Sequence, residues 1–200
     1  MRVSKIACSL IITYLLMVNP VYSRVRYVKI VPEKPFRGDV VKIVVNASPG
    51  ERVKISISFE KIINVSNGMC EYKVYGVKVP LLPNKFTVTG IGVRNLYVSA
   101  RIFLFFWVTK GSKGINGVAR VSHANVLPGT YDVVIHGEAI ENSTTVKIIT
   151  EASTVLTADE NGYLEYSYDT DIIPPGKFVV KVGDIVKNVT LYKPLFGLKD

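Results

Sequence analysis

The stretch NGYLEYSYDTDIIPPGKFVVKVGD, residues 161–184, is the unit that the rest of the chain repeats. Asn161-Gly162 is a strong two-residue hairpin signal, because a type I′ turn needs positive φ at both central positions. Leu164, Tyr166 and Tyr168 then alternate with Glu165 and Ser167, the period of a half-buried strand. Pro175-Gly176 suits a type II turn, with proline fixing φ at the first central residue and glycine supplying positive φ at the second. Phe178, Val180 and Val182 line one face of the strand that follows, which ends at Gly183.

The same order of turn, strand, turn, strand recurs twice upstream. A middle copy opens at Asn116-Gly117, turns at Pro128-Gly129, continues through Tyr131, Val133 and Ile135 and closes at Gly137. The first opens at Asn67-Gly68, turns at Pro83-Asn84, continues through Phe86 and Val88 and closes at Gly90. Asn84 replaces glycine there, and Asn is the next residue to tolerate a left-handed backbone. Asn95, Asn142 and Asn188 each trail a closing glycine, and the period is roughly 45 to 49 residues. These readings predict an all-β chain of antiparallel sandwich modules in tandem.

Outside the copies, strands continue. Val41, Ile43 and Val45 form one strand face, and Val53, Ile55, Ile57 and Phe59 another, alternating with Lys54, Ser56 and Ser58. From Ile102 to Val108 both faces are apolar, so the segment is either a central strand covered on both sides or an exposed stripe that a partner covers. Phe103, Phe105 and Trp107 are the candidate partner surface on the second view. Lys110-Gly111-Ser112-Lys113-Gly114 is the most linker-like segment, which sets expected boundaries of 24–110 and 115–200 for two sandwich domains joined by 111–114.

The N-terminus reads as a secretory signal, residues 1–23. Arg2 and Lys5 precede an apolar run from Ile6 to Val18, and cleavage is expected after Ser23. That run is shorter than the about 20 apolar residues a bilayer span needs, so no transmembrane anchor is expected in the mature chain. A composition 48% hydrophobic and 20% charged excludes a disordered chain. Losing Arg2 and Lys5 takes the net charge from +9 to about +7. Arg24, Arg26, Lys29, Lys34 and Arg37 concentrate that charge near the mature N-terminus, a patch suited to an acidic polymer such as a polysaccharide, to anionic lipid or to nucleic acid. No nucleic-acid motif is present, and nucleic acid is not an expected partner. No Gln occurs, a depletion of thermolabile amides in the direction of a thermophilic source.

Cys70 is the one cysteine left after cleavage, so no internal disulfide is expected. The copies align it with Ala119 and Leu164 at an inward strand position, where a free cysteine acts as a small core hydrophobe. Asn46, Asn64, Asn142 and Asn188 begin Asn-X-Ser/Thr acceptor sequences and are candidate glycosylation sites. Asn142 and Asn188 share a repeat position and are expected on surface loops. His123 and His136 lack the spacing of a zinc site. The acidic clusters Asp159-Glu160 and Asp169-Thr170-Asp171 are better explained by turn chemistry than by calcium. No catalytic constellation, metal site or cofactor is expected.

The sequence ADENGYLEYSYDTDIIPPGKFVVKVG, from Ala158 to Gly183, resembles the immunoglobulin-like β-sandwich repeats of archaeal and bacterial surface-layer-associated and adhesin-type proteins. The resemblance covers most of the mature chain, although the chain is short for that class and shows no C-terminal anchor. It implies a non-enzymatic structural or adhesive role, secreted or on the cell surface. The expected partners are other envelope or extracellular proteins, or further copies of the chain. The alternative is a secreted glycan-binding accessory domain or an enzyme with an unrecognised site.

Overall fold

A computed structural model describes residues 25–79, 82–102 and 106–194, so the expected signal segment lies outside the described residues. The strands are β1 (Tyr27–Val31), β2 (Val40–Asn46), β3 (Arg52–Asn64), β4 (Met69–Val79), β5 (Asn84–Ile91), β6 (Asn95–Ile102) and β7 (Phe106–Lys113). They continue with β8 (Val118–Ala124), β9 (Gly129–Glu138), β10 (Thr145–Thr157), β11 (Tyr163–Asp169), β12 (Gly176–Val182) and β13 (Ile185–Leu191). No helix occurs among the described residues, and every ladder is antiparallel.

Three sheets result, in the orders β1-β2-β11, β13-β12-β3-β10-β5-β8 and β4-β9-β6-β7. The six-stranded sheet is a shared floor. On β3, Val53, Ile55, Ile57 and Phe59 pack into one core and Ile63 packs against a second, all at odd positions and so on one face. On β10, Val146 and Ile148 enter the second core, Leu156 packs against the first, and all are even. The three- and four-stranded sheets therefore lie side by side on the same face of the floor.

The four-stranded half has a simple logic. β3 pairs with β10, β4 with β9, β5 with β8 and β6 with β7, the nested pairs of one long folded hairpin. Rolling that hairpin brings β5 onto β10 and β6 onto β9. The outcome, β3-β10-β5-β8 facing β4-β9-β6-β7, is the strand order of an eight-stranded jelly roll. The other half, here the terminal sandwich, packs β1-β2-β11 against β12, β13 and the first half of β3.

The two cores are nested in sequence and not consecutive. One is built from Val28 to Phe59 and from Ala158 to Leu191, the other from Cys70 to Ile148. A division into 24–110 and 115–200 does not match them, and the segment expected as a linker is the end of β7. Gly111 there serves close packing: a Cβ on it would stand 2.5 Å from Cδ1 of Tyr97 on the neighbouring strand. The ring occupies the space that a side chain would need.

The repeated turns serve the same plan. Asn67 and Asn116 have φ of 51° and 52°, followed by Gly68 at 75° and Gly117 at 76°, as a type I′ turn requires. Each carries the chain from one sheet to the facing one. At the third copy only Gly162 is positive, at 77°. Its N–H bonds the Asp159 carbonyl, while the Asp159 carboxylate accepts from the N–H groups of Asn161 and Tyr163, giving a longer turn than expected. Gly176 takes the expected positive φ, at 136°, whereas Gly129 and Asn84 begin strands without it. Asn84 is buried instead, and its side-chain amide pairs with both backbone groups of Val126 at 2.8 Å. It replaces a stretch of ladder, a job glycine cannot do.

Copies one and two also pair with each other. The opening strand of each meets the closing strand of the other, so Cys70 faces Gly137 just as Ala119 faces Gly90. Cys70, Ala119 and Leu164, aligned by sequence, are all buried.

Candidate functional site

β7 pairs only with β6 and forms an open edge of its sheet. Along it, Phe106 is 69% exposed, Trp107 49% and Val108 52%. Phe103 and Phe105, the other members of the expected partner surface, lie outside the described residues. Trp107 stands exposed because β7 is an edge strand and not a central strand covered on both sides.

Registers fix which loops share this end. Val79 pairs with Gly129, Ile102 with Phe106 and Lys85 with Ala124, so the end of β4, the start of β5, the end of β6, the start of β7 and the β8–β9 connection share one end of the jelly roll. Leu127, in the last of these, is 69% exposed. Between it and Val108 opens a cavity of about 290 Å³, walled by Phe86, Val98, Ile102 and Tyr131. Tyr131 closes one side by donating its hydroxyl to the Leu127 carbonyl at 2.8 Å. Lys110 at the rim donates to the Ser122 carbonyl at 2.7 Å.

A second concavity, of about 820 Å³, separates the terminal sandwich from the jelly roll. Its walls are two open edges, β11 and β4, and Thr154 and Leu156 of β10 lie at its base. Tyr75, Tyr166 and Tyr168 line it, and Lys78 donates to Asp169 across it. That hydrogen bond holds the Asp169 carboxyl below its ordinary range. Hydrogen bonds from Tyr163 and then Lys42 do the same for Glu165. Burial pushes the phenol of Tyr166 up to about 12, and that of Tyr168 in the same direction.

The four acceptor asparagines occupy different settings. Asn142 is exposed in a tight turn with φ of 62°, and Asn64 is exposed where β3 ends. Asn188 is exposed but lies inside β13, because Gly183-Asp184 is a short turn that returns the chain at once to a strand. Asn46 is half-buried at the end of β2, between Tyr27 and Tyr163. Cys70 is buried, its thiol raised above the usual range by that burial, with Sγ 3.5 Å from the Gly137 carbonyl.

The N-terminal strand β1 is paired within the terminal sandwich. It pairs with β2 from Tyr27–Asn46 to Val31–Lys42, so the ladder groups on that side are used within the terminal sandwich and β1 is the edge of its sheet. Both acidic clusters have local explanations as well, since Asp159 and Asp169 accept from backbone N–H groups two residues on. No group of three or more metal-ligating side chains occurs among the described residues. No helix among them is long and apolar enough to cross a membrane. The Tyr97–His136 stack, with ring centroids 5.4 Å apart on the outer face beside β7, carried no sequence signal, because its partners are 39 positions apart on different strands. No family model matches the chain, and comparison with curated proteins and with solved structures gives no match.

Proposed function

We propose that this chain is a secreted, non-enzymatic protein of a cell envelope or extracellular assembly, and that it works by contact. The observation that carries the reading is β7, an open edge strand whose Phe106, Trp107 and Val108 are all about half exposed or more. Monomeric proteins manage exposed apolar edges with charge, proline or a covering element. This edge has its charges only beyond Thr109, so its apolar half is a surface for something else to cover.

The terminal sandwich supports the extracellular side of the reading. Its order is β1-β2-β11 against β13-β12-β3 with β10 beside β3, which we read as the A-B-E sheet of an immunoglobulin-type sandwich facing G-F-C. On this reading the jelly roll is an insertion between the third strand and the next. Exposed Asn64 and Asn142 both sit at the end of the jelly roll opposite the apolar corner, so glycans there would leave the corner open.

A second reading, glycan binding in the cleft, is favoured by its tyrosines and charged carboxylates. Glu165 and Asp169 there suit binding better than hydrolysis. Glu165 and Asp169 are four residues apart on one strand, about 13 Å, whereas a glycosidase pair stands roughly 5 to 9.5 Å apart. Both carboxyls are shifted down, and a general acid needs one shifted up.

The chain has a single Trp, so its fluorescence reports β7 directly. Iodide quenching of Trp107 is expected to fall as protein concentration rises or as envelope material is added, with light scattering following the size. A protein that stays monomeric, with Trp107 equally open to iodide in both conditions, sinks the reading.

A further inference from the structure

The apolar corner of the jelly roll, where Leu127 meets the start of β7, points to a particular occupant, and this step rests on the reading of β7 as a contact surface. We infer that the corner docks on a lipid surface bearing anionic headgroups. Side chains at successive strand positions point to opposite faces. Phe106 and Val108 therefore face one way and Trp107 the other, yet all three are exposed. A folded partner lying on the sheet covers one face of a strand. A fluid interfacial layer wraps both.

The geometry also sets how deep the corner goes. The outer edge of β7 has no neighbouring strand, and unpaired N–H and C=O groups cannot enter the hydrocarbon core. The headgroup layer satisfies them while taking up the apolar side chains, and it is the layer in which Trp is enriched. The cavity between Val108 and Leu127 leaves these two side chains without close packing from behind, free to settle among acyl chains.

Charge selects the headgroup. Lys85 and Lys110 flank this end, exposed, and no described carboxylate lies within ion-pair distance of either. Without residues 1–23 the chain still carries about +7. An anionic surface attracts such a face and orients the corner toward it.

The test uses the protein without residues 1–23 and two kinds of vesicle, phosphatidylcholine alone and phosphatidylcholine mixed with phosphatidylglycerol. With the anionic vesicles, Trp107 emission is expected to shift to the blue and to be quenched by lipids brominated on their acyl chains. A Phe106→Ser/Leu127→Ser variant should bind about tenfold more weakly or worse. Its far-ultraviolet dichroism should stay native, as should the protection of Cys70 from thiol reagents. A Lys85→Gln/Lys110→Gln variant should lose the preference for phosphatidylglycerol. Absence of any Trp107 shift overturns the inference, as does unchanged binding by the serine variant. Equal binding of wild type to both vesicles overturns its anionic part. If Trp107 ignores vesicles but is shielded in a dimer without lipid, the lipid inference falls and the contact reading stands. If it responds to neither, the lipid inference falls, and the contact reading falls with it once added envelope material also leaves Trp107 open to iodide.

Discussion

Tyr166 shows how burial at one residue becomes a property of the fold. It leaves β11 between the cleft and the terminal core, where water is too scarce to stabilise a phenolate, and its pKa rises from 10.0 to about 12. Below pH 10 the phenol is neutral in both folded and unfolded chains and contributes its full packing. Between about 10 and 12 the unfolded chain has lost the proton and the folded one has not, so stability falls as pH rises. The loss is roughly 2 kcal/mol over that window, and Tyr168, shifted the same way, adds to it. Urea midpoints measured on either side of pH ~10 are expected to drop in wild type and to drop less in Tyr166→Phe. Equal drops would show that this phenol does not titrate on unfolding. The inward parity of Tyr166 was legible from its alternation with Glu165 and Ser167. Its place at the seam between two cores was not, because that depends on β4, nearly a hundred residues away in sequence. Asn84 is the opposite lesson: its identity suggested a left-handed turn, but burial beside Val126 turned the side chain into a substitute for backbone pairing.

At the scale of elements, the sequence signals were local and therefore readable. Alternation marked the strands, and Asn-Gly marked the points where the chain turns from one sheet to the facing one. Turn chemistry does not say which strand a strand will meet. The three copies looked like modules in tandem, whereas the first two interlock, β4 with β9 and β5 with β8. The candidate surface was legible only in part, since an apolar run on both faces fits a covered strand as well as an exposed edge. The closing glycines record the interlock. A Cβ on Gly137 would stand 2.2 Å from the Asn95 carbonyl oxygen, a backbone atom held in the adjacent ladder. On Gly90 the nearest atom is Cγ2 of Val93 at 2.9 Å, a side chain that can turn. Gly137→Ala is accordingly expected to cost about 3 kcal/mol and Gly90→Ala about 1 kcal/mol. Denaturant midpoints of the two variants decide this, and equal or reversed costs would mean that the β6–β9 ladder gives way more easily than its register implies.

At the scale of the molecule, the decisive feature is that two cores share their longest strands. β3 and β10 pair along thirteen residues, with Val53 to Phe59 serving the terminal sandwich and Val146 and Ile148 serving the jelly roll. Two domains on a string can unfold separately. Here the ladder that one core loses is the floor of the other, so a single transition is expected. Ile43 and Cys70 make the test sharp, because each is buried in a different core. Ile43→Ala removes packing from the terminal sandwich alone and should cost about 3 kcal/mol. If the halves are coupled, the thiol of Cys70 in the distant jelly roll becomes reactive at the same lowered urea concentration at which dichroism is lost. A variant whose dichroism splits into two steps, with Cys70 protected through the first, would show that the jelly roll holds its own half of β3 and β10 after the terminal sandwich has melted.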